Sequence, residues 1–330
     1  MTLHSICLSG GNFCVADVFG HMPDGRLVER VTLASDELSV SIITYGASLQ
    51  KVEIGGQNVI LSGDTLEDYV EHLMYFGAIV GRVANRIGQG RANVAGREIN
   101  LDKNEESGNC LHGGPDGSSQ MVWTLQDHSA TYAILTLHMP DGHMGFPGAL
   151  DVTARYSLEG ATLRLEISAE SDQETLCAFA SHGYWTLSDE ANINAHEMRI
   201  AAQQYLLIDA NKVPTGEQRN VAGTQFDFRQ IREIGTAQMD HNFCIRPERG
   251  ALEPVLWLKS KASGIALEVA STEAGVQIYD ATHLGRVGLA IEPQVWPDAV
   301  NHEGFPSMVL KAGETYKSVT EFRFSKSAHS

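Results

Sequence analysis

Hydrophobic and polar residues alternate along most of the chain in short stretches. A period of two places every second side chain on one face of an extended strand, so such stretches predict β-strands with one buried face. The clearest examples are residues 40–42, 132–137, 163–167 and 265–269. Turn-forming residues separate the stretches, as in antiparallel hairpins. These separators include residues 140–142, 158–160 and 216–217. The pattern therefore predicts a mainly β protein.

Stretches with helical periodicity are scarce. Residues 66–72 predict one short helical piece, and a second is expected near Asp298. Strands and helices do not alternate, which disfavours a Rossmann fold or an α/β barrel. No linker and no internal repeat divides the chain, and all-β sandwiches can reach about 250 residues as one unit. We therefore expect one domain over residues 1–330, a large sandwich of twisted sheets whose concave face could hold a ligand.

The composition narrows the class of partner. The 330 residues are 43% hydrophobic and 20% charged, as in ordinary globular proteins. The formal net charge is -17, and no run rich in Lys and Arg interrupts the acidic balance. Neither nucleic acid nor an anionic membrane is therefore an expected partner. The same balance disfavours a phosphorylated substrate, and we expect a monomer or a homodimer.

The cysteines are widely spaced and never form a Cys-x-x-Cys pair: Cys7, Cys14, Cys110, Cys177 and Cys244. An odd, dispersed set argues against a disulfide framework and against a zinc ribbon. The first residues carry no basic segment followed by an apolar one, and no apolar run approaches membrane-spanning length. A reducing cytoplasm is the expected location. Because the sequence has no metal-binding His spacing and no Walker loop, neither a metal nor a nucleotide cofactor is expected.

Two polar clusters lie among short strand-like runs in the first part of the chain. Residues 81–87 read GRVANRI, and residues 111–114 read LHGG. Arg donates hydrogen bonds, Asn donates and accepts, and His can do either, so Asn85, Arg86 and His112 suit a neutral polyhydroxy ligand. The neighbouring glycines let the backbone turn sharply or approach a ligand closely. Together the clusters predict a sugar-binding site.

A third cluster, FASHGYW at residues 179–185, carries His182. It places a titratable side chain beside Tyr184 and Trp185, which could stack on the apolar face of a sugar. A histidine beside aromatic residues is also common as a packed structural residue. The cluster alone leaves both roles open.

Two further clusters carry polar candidates. Glu292 closes an apolar run just before a proline, where partial burial would raise the pKa of its carboxyl group towards that of a useful base. Alternatively, Glu292 reaches solvent at the strand end. Asp240 in MDHNF and Gln277 in GVQIY could bind sugar hydroxyls, or could be ordinary turn and edge-strand residues.

Taken in order, these clusters resemble the aldose 1-epimerase (galactose mutarotase) family over nearly the whole chain. Further matching segments are residues 213–217 (VPTGE), 223–229 (GTQFDFR), 305–307 (FPS) and 310–316 (LKAGETY). The resemblance implies an all-β β-supersandwich of the galactose mutarotase type with few short helices. It also implies a cofactor-independent exchange of the α and β anomers of a free aldose, a small monosaccharide.

The resemblance also implies roles for the candidate residues. Glu292 would be the general base that removes the anomeric hydroxyl proton, and His182 the general acid that protonates the ring oxygen. The other candidates would bind and orient the sugar: Asn85, Arg86, His112, Asp240 and Gln277. Free sugars already mutarotate in water, and positioned acids and bases contribute about 10²- to 10⁴-fold. The reaction therefore requires no metal and no covalent intermediate.

The chain departs from the family pattern beside the acid and after Gln277. Residues 181–187 read SHGYWTL where the family has NH(S/T)YFNL, and residues 279–282 read YDAT where it has YTGN. Such changes could alter the orientation of His182 or the packing beneath the sugar. The preferred aldose is therefore left open.

Other functions compete for the same residues. An epimerase for a hexose with an anionic group at C6, such as a hexose 6-phosphate, would need a basic pocket, for which the candidates are Arg82, Arg86 and Arg91. A catalytically idle sugar-binding protein could share the fold, because fold does not fix function. A glycoside hydrolase ordinarily needs two positioned carboxylates, and only Glu292 has such a setting.

Overall fold

A computed structural model describes residues 16–327, and almost all of their regular structure is β-strand. The described part begins with β1 Asp17–His21, β2 Leu27–Ala34, β3 Leu38–Ile43, β4 Ser48–Ile54, β5 Gln57–Asn58, β6 Ile79–Val80, β7 Arg86–Ile87, β8 Arg91–Val94, β9 Arg97–Asn100 and β10 Cys110–Leu111. It continues with β11 Thr124–His128, β12 Tyr132–Met139, β13 Leu150–Glu159, β14 Thr162–Ser171, β15 Thr175–Leu176, β16 Ala180–Ser181, β17 Tyr184–Trp185 and β18 Glu197–Ile200. It ends with β19 Gln204–Ile208, β20 Pro214–Asn220, β21 Arg232–Glu233, β22 Asp240–Cys244, β23 Glu253–Lys259, β24 Ile265–Ser271, β25 Gly275–Tyr279, β26 Leu289–Gln294, β27 Val309–Leu310 and β28 Thr315–Lys326.

The longer strands assemble into large antiparallel sheets. Within the described residues, a nine-stranded sheet has the order β11-β12-β13-β14-β28-β24-β23-β18-β21. A six-stranded sheet has the order β17-β26-β25-β22-β19-β20, and a five-stranded sheet has the order β1-β2-β3-β4-β5. Two-stranded ribbons complete the fold, among them β10 with β7 and β16 with β6. The predicted all-β class is therefore confirmed.

The alternation in the sequence corresponds to alternating burial. In β14, Leu163, Leu165 and Ile167 are buried, and the residues between them are partly exposed. Each such side chain contributes roughly 1.5–3 kcal/mol when fully buried. All four stretches with clear alternation lie within strands, namely β3, β12, β14 and β24. Alternation of hydrophobic and polar residues with a period of two was thus sufficient to predict these strands.

One predicted separator is wrong. Residues 140–142 follow β12 and Gly160 follows β13, but residues 216–217 lie inside β20. The pairing of β19 with β20 is irregular between Leu206 and Ile208, and Gly216 has a φ of +91°. Glycine adopts this conformation without strain. It forms a β-bulge through which the strand continues, so it does not end the strand.

One hydrophobic cluster joins the three large sheets. It includes Val40 of β3, Ala154 of β13 and Val276 of β25. The Tyr156 hydroxyl reaches across the cluster and donates a hydrogen bond to the Ala47 carbonyl at 2.9 Å, which compensates the burial of a polar group. Because sheets share this core face to face, the architecture is a sandwich.

Helical structure in the described residues is confined to short turns. A π-helical turn spans Asp68–His72. The 3₁₀ turns are Gly88–Gly90, Ser118–Gln120, His143–Gly145, Thr282–Leu284 and Ala299–Asn301. Helical turns therefore occur in both regions where the sequence predicted them. Between residues 16 and 327, no helix has the length and hydrophobicity needed to cross a membrane.

The described cysteines match the expectation of unpaired thiols. Cys110, Cys177 and Cys244 are free and buried. Cys7 and Cys14 lie outside the described residues, as does the N-terminal segment on which the prediction of location partly rests.

Candidate active site

Neighbouring strands of the six-stranded sheet carry three of the predicted site residues. Glu292 in β26 and Gln277 in β25 lie directly opposite each other in the antiparallel register. Asp240 begins β22, the next strand, and its carboxylate accepts a hydrogen bond from Gln277 Nε2 at 2.9 Å. Adjacent strands are about 4.8 Å apart, and opposed residues point to the same face. The register therefore places Glu292 and Gln277 side by side, and Asp240, which pairs with Tyr279, lies diagonally from Gln277 on the same face.

The ribbon of β7 and β10 carries three more. Arg86 pairs with Leu111, so Asn85 and His112 meet at the end of the ribbon. Their contact is reciprocal: the His112 N–H donates to the Asn85 carbonyl at 3.0 Å, and the Asn85 N–H donates to His112 Nδ1 at 3.1 Å. Both residues have a positive φ, +63° for Asn85 and +51° for His112, which Asn and His tolerate better than most residues. The ribbon thus fixes the orientation of the imidazole ring.

This contact also determines which nitrogen of His112 carries the proton. Burial, followed by the charges of His182 and Arg86, lowers the pKa of His112 well below its usual value, so the ring is neutral near pH 7. Because Nδ1 accepts the amide proton, the neutral ring holds its own proton on Nε2. His112 therefore acts as a hydrogen-bond donor, which suits a sugar oxygen.

His182 lies in the short connection between β16 and β17. Its main chain is held on both sides, because its N–H donates to the Ala78 carbonyl at 2.8 Å and its carbonyl accepts from the Gly77 N–H at 3.0 Å. His182 Nε2 lies 3.5 Å from Glu292 Oε1, and the two side chains are 5% and 2% exposed. The acid and base candidates therefore form one buried pair.

The seven predicted site residues line one cavity of about 280 Å³. The other lining residues are His72, Met74, Tyr75, Phe76, Leu111, Tyr184, Lys212, Tyr279 and His283. A wider surface groove of about 880 Å³ lies around Asp227 and Arg229 and includes none of the seven. The structure thus brings the predicted residues together, whereas their roles stay predictions.

Burial shifts the pKa values of the buried pair in opposite directions. It raises the pKa of Glu292 well above its usual value, with a further rise from Asp240 and an opposing contribution from Arg86. It lowers the pKa of His182 to about 4, opposed by the main chain of His182 and by Asp240. Among the described residues, Glu292 Oε2 and His182 Nδ1 find no hydrogen-bond partner.

The Arg and Lys side chains of the cavity are each paired with a carboxylate. Glu105 accepts hydrogen bonds from Arg86 Nε and Nη2 at 3.0 and 2.8 Å, and Lys212 Nζ lies 2.7 Å from Asp240 Oδ2. The Asn85 side-chain oxygen accepts the Arg86 N–H at 2.8 Å, so the Asn85 amide can serve a ligand as a donor. Because each cation has a carboxylate partner, the cavity suits an uncharged ligand.

His112, His182 and Glu292 could in principle hold a metal ion, since their ligand atoms lie within 4.8 Å of one another. Two histidines and a carboxylate form a common zinc ligand set. The tautomer of His112 opposes this use. A metal would need the lone pair of Nε2, where the proton sits as long as Nδ1 accepts the Asn85 N–H. The arrangement favours hydrogen bonding to a ligand over metal coordination.

Sequence reasoning missed Lys212 and Tyr75. Lys212 has a φ of +63° and directly precedes residues 213–217, a segment that carried the family resemblance, so its position was a usable signal. The Tyr75 ring lies 4.7 Å from the His112 ring and 5.9 Å from the His182 ring, measured between centroids. Nothing in the local pattern marks Tyr75 as a cavity residue.

The substitutions beside His182 do not line the cavity. His182 and Tyr184 line it, whereas the altered residues around them do not. Trp185 is fully buried, and its ring lies 4.8 Å from that of Phe322. The prediction that Trp185 could stack on a sugar is therefore wrong. The physical reason is that successive side chains of a strand point to opposite faces, so Tyr184 and Trp185 cannot share a ligand.

Gly183 makes room for the Trp185 ring, which predicts a coupled effect on stability. A Cβ at position 183 would lie 3.2 Å from Trp185 Nε1 and Cε2 and 3.2 Å from Ile60 Cδ1. We expect Gly183→Ala to lower the free energy of unfolding by about 1–3 kcal/mol, the usual effect of overpacking. Urea denaturation measures the change. Trp185→Phe added to Gly183→Ala should recover part of the loss, and strictly additive effects of the two substitutions would contradict this packing account.

Comparisons with known proteins agree with this geometry. The profile of the aldose 1-epimerase family matches residues 29–323. The galactose mutarotases of Mus musculus and Homo sapiens are each 38% identical to this chain, over 93% of it and 97% of their own length. The crystal structure of galactose 1-epimerase from Lactobacillus acidophilus is 27% identical and superposes with a TM-score of 0.84, covering 96% of this chain and 100% of its own. An aldose epimerase homologue from C. elegans gives a TM-score of 0.85 at 26% identity, covering 90% and 98%.

Proposed function

The chain belongs to the aldose 1-epimerase family and is an isomerase of aldose anomers, and we propose that Glu292 and His182 carry the proton transfers that open and reclose the sugar ring. The observation that carries the assignment is the buried pair, with His182 Nε2 3.5 Å from Glu292 Oε1 in a cavity lined by hydrogen-bonding groups. Both side chains keep one buried atom without a partner among the described residues. A cyclic hemiacetal brings a hydroxyl and a ring oxygen to such a pair.

The reaction needs one proton removed and one delivered. Glu292 takes the proton of the anomeric hydroxyl while the bond from C1 to the ring oxygen breaks, and His182 gives a proton to that oxygen. The product is the open-chain aldehyde. Rotation about the bond between C1 and C2 exposes the other face of the carbonyl. The two residues then return the protons in the reverse direction, and the opposite anomer forms.

The pair holds the same number of protons before and after ring opening. The charged form, carboxylate with imidazolium, acts on the closed sugar, and the uncharged form, carboxylic acid with imidazole, accompanies the aldehyde. The two forms differ only in where one proton sits. Burial disfavours charge, so the uncharged form predominates in the resting site. The proton must pass from Glu292 to His182 before the pair can act on the closed sugar.

Asn85, Arg86, His112, Asp240 and Gln277 are proposed to bind and orient the sugar. His112 donates through Nε2, and Gln277 can accept through its side-chain oxygen because its Nε2 donates to Asp240. The mixture of fixed donors and acceptors matches hydroxyl groups, which both donate and accept. Holding the ring in one orientation keeps C1 next to Glu292, and such positioning contributes strongly to rate.

The rate of relaxation of a pure α-anomer should depend on pH as a bell with a wide plateau. As the pH falls through the His182 pKa of about 4, the pair takes up a second proton and no base remains. As the pH rises through the raised pKa of Glu292, the pair loses its proton and no acid remains. The measurement is kcat/KM for the α-anomers of galactose and glucose, followed by polarimetry or NMR exchange at C1.

The spontaneous rate at each pH is measured without protein and subtracted as the control. A flat profile would contradict the proposed pair. An acidic limb at about pH 6.5, the range of a solvent-exposed histidine, would show that burial does not control the acid.

The other functions find less support in the site. A sugar with a C6 anion would need a free basic side chain, and none of the three candidate arginines provides one. Arg82 is fully buried and donates to the Gly148 carbonyl at 2.8 Å. Arg91 is exposed and does not line the cavity, and Arg86 is paired with Glu105. A hexose 6-phosphate in the anomer panel tests this, and a strong preference for it would overturn the assignment to neutral sugars.

A catalytically idle binding protein would have no use for the buried pair. A cytoplasmic location is proposed on the basis of the unpaired cysteines.

A further inference from the structure

We propose that Asp298 is a positioning residue that fixes the sugar-binding segment 85–88 relative to the base Glu292. It contacts that segment at two points on either side of Ile87. The Asp298 N–H donates to the Arg86 carbonyl at 3.0 Å, and the Gly88 N–H donates to Asp298 Oδ1 at 3.0 Å. The residue is buried and has a φ of +55°. This inference rests on the proposed roles of Asn85 and Arg86.

Asp298 is rigidly connected to the strand that carries the base. It follows Glu292 by six residues, and β26 ends at Gln294. The connecting residues are buried, and Trp296 Nε1 donates to the Ala274 carbonyl at 3.0 Å. A displacement of Asp298 relative to Glu292 would disrupt this packing. The connection therefore transmits the position of β26 to the Asp298 side chain.

The carboxylate of Asp298 is itself held from the other side. Asn301 Nδ2 donates to Asp298 Oδ1 at 2.7 Å and to the Arg91 carbonyl at 2.9 Å. His302 Nε2 lies 3.3 Å from Asp298 Oδ2. These contacts orient the carboxylate towards Gly88. Asp298 and Asn301 thus bind the main chain at both ends of the segment from Arg86 to Arg91.

The contacts reach the residues proposed to bind the sugar. Asp298 holds the Arg86 carbonyl, and the Arg86 N–H is bonded to the Asn85 side chain. On the opposite side, Glu105 holds the Arg86 guanidinium and Asn109 Oδ1 accepts the Gln89 N–H at 3.1 Å. Without the Asp298 carboxylate the segment would keep its attachment to residues 105–109 but lose the Gly88 contact to the residues that follow β26. The distance between sugar-binding groups and base would then be free to vary.

The test compares two substitutions that suit the backbone at position 298. Glycine adopts a φ of +55° without strain, so Asp298→Gly removes the carboxylate and keeps the N–H that bonds Arg86. Asparagine also tolerates this region, and Asp298→Asn keeps an oxygen acceptor for the Gly88 N–H. We expect Asp298→Gly to raise KM for galactose about ten- to a hundredfold, with a smaller change in kcat, because misplacement of about 1 Å can be this severe. Asp298→Asn should stay within about threefold of the parent protein in KM, since its acceptor is retained.

A double-mutant cycle separates positioning from a general loss of structure. In a chain that already carries Arg86→Met, Asp298→Gly should raise KM by a clearly smaller factor than in the parent protein, because non-additivity marks residues that act through each other. The proposal would be overturned if Asp298→Gly changed KM by the same factor in the parent protein and in the Arg86→Met protein. It would also be overturned if Asp298→Gly left the kinetics unaltered or lowered kcat at an unchanged KM. If Asp298→Gly does not fold, Asn301→Ala is measured in its place. We expect the same increase in KM for Asn301→Ala, and an unchanged KM would overturn the proposal. A parent protein without any acceleration of anomer exchange would refute the proposed function itself, which is a separate outcome.

Discussion

Replacing Glu292 by glutamine should lower kcat/KM for anomer exchange by about 10²- to 10⁴-fold, the usual contribution of a positioned general base. The amide has nearly the volume of the carboxyl group but cannot accept the anomeric proton. The side chain is buried, so an exposed carboxylate elsewhere on the protein cannot take over its role. Relaxation of a pure α-anomer measured by NMR gives the rate, and titration with sugar under the same conditions shows whether binding persists.

The same substitution should not weaken the fold. Glu292 has a raised pKa in the folded protein relative to the ordinary 4.5. Between these two values the unfolded chain releases a proton that the folded chain keeps, so the carboxyl group destabilises the fold increasingly as the pH rises. Glutamine lacks this dependence, and Glu292→Gln should unfold at an equal or higher temperature near pH 8. Glu314→Gln, at an exposed position, is the matched control and should leave both properties unchanged. An active Glu292→Gln protein, within tenfold of the parent, would refute the base assignment.

Replacing His182 by alanine should lower kcat/KM by about 10²- to 10⁴-fold as well, because the ring oxygen then has no positioned proton donor. The substitution also opens space beside Glu292, and added imidazole should restore part of the rate. The rescue is measured as the increase above the rate that imidazole gives without protein. Both rates come from the same polarimetric assay.

His138→Ala provides the matched control for His182→Ala. His138 is exposed, its Nδ1 lies 2.7 Å from Asp151 Oδ1, and it does not line the cavity. The control protein should relax the sugar at the parent rate and show no effect of imidazole. A His182→Ala protein with a near-parental rate would mean that another group supplies the proton, and Tyr184 would be the next candidate because it lines the same cavity.

The strands could be predicted from the sequence because their signal is local. Alternation at residues 163–167 needs only a buried face, and the structure supplies one. Gly216 shows the limit, because glycine marks both turns and bulges, and the difference depends on whether the partner strand continues. Trp185 shows another limit. Its neighbours in the sequence suggested contact with a ligand, but side chains alternate between the two faces of β17, and that of Trp185 points into the core.

The candidate site could be predicted as a set of residues but not as a geometry. His182 and Glu292 are 110 positions apart in the chain, and their meeting depends on β17 and β26 being neighbours in one sheet. The tautomer of His112 depends on an amide from another strand, which no local pattern contains. Lys212, Tyr75 and Asp298 reach the cavity or its support through turns and positive φ values. Such positions carry no periodic signal.

The shared cavity makes sugar binding observable without net turnover. A sugar that occupies it binds the folded chain and not the unfolded one, so it stabilises the fold by RT ln(1 + [L]/Kd) and raises the melting temperature. Substrate and product here are two anomers of one compound. An equilibrated sugar solution is therefore already at the end point of the reaction, and the active protein can be titrated in it indefinitely. A thermal-shift series over galactose, glucose, arabinose, xylose and fucose would rank the sugars by affinity alone.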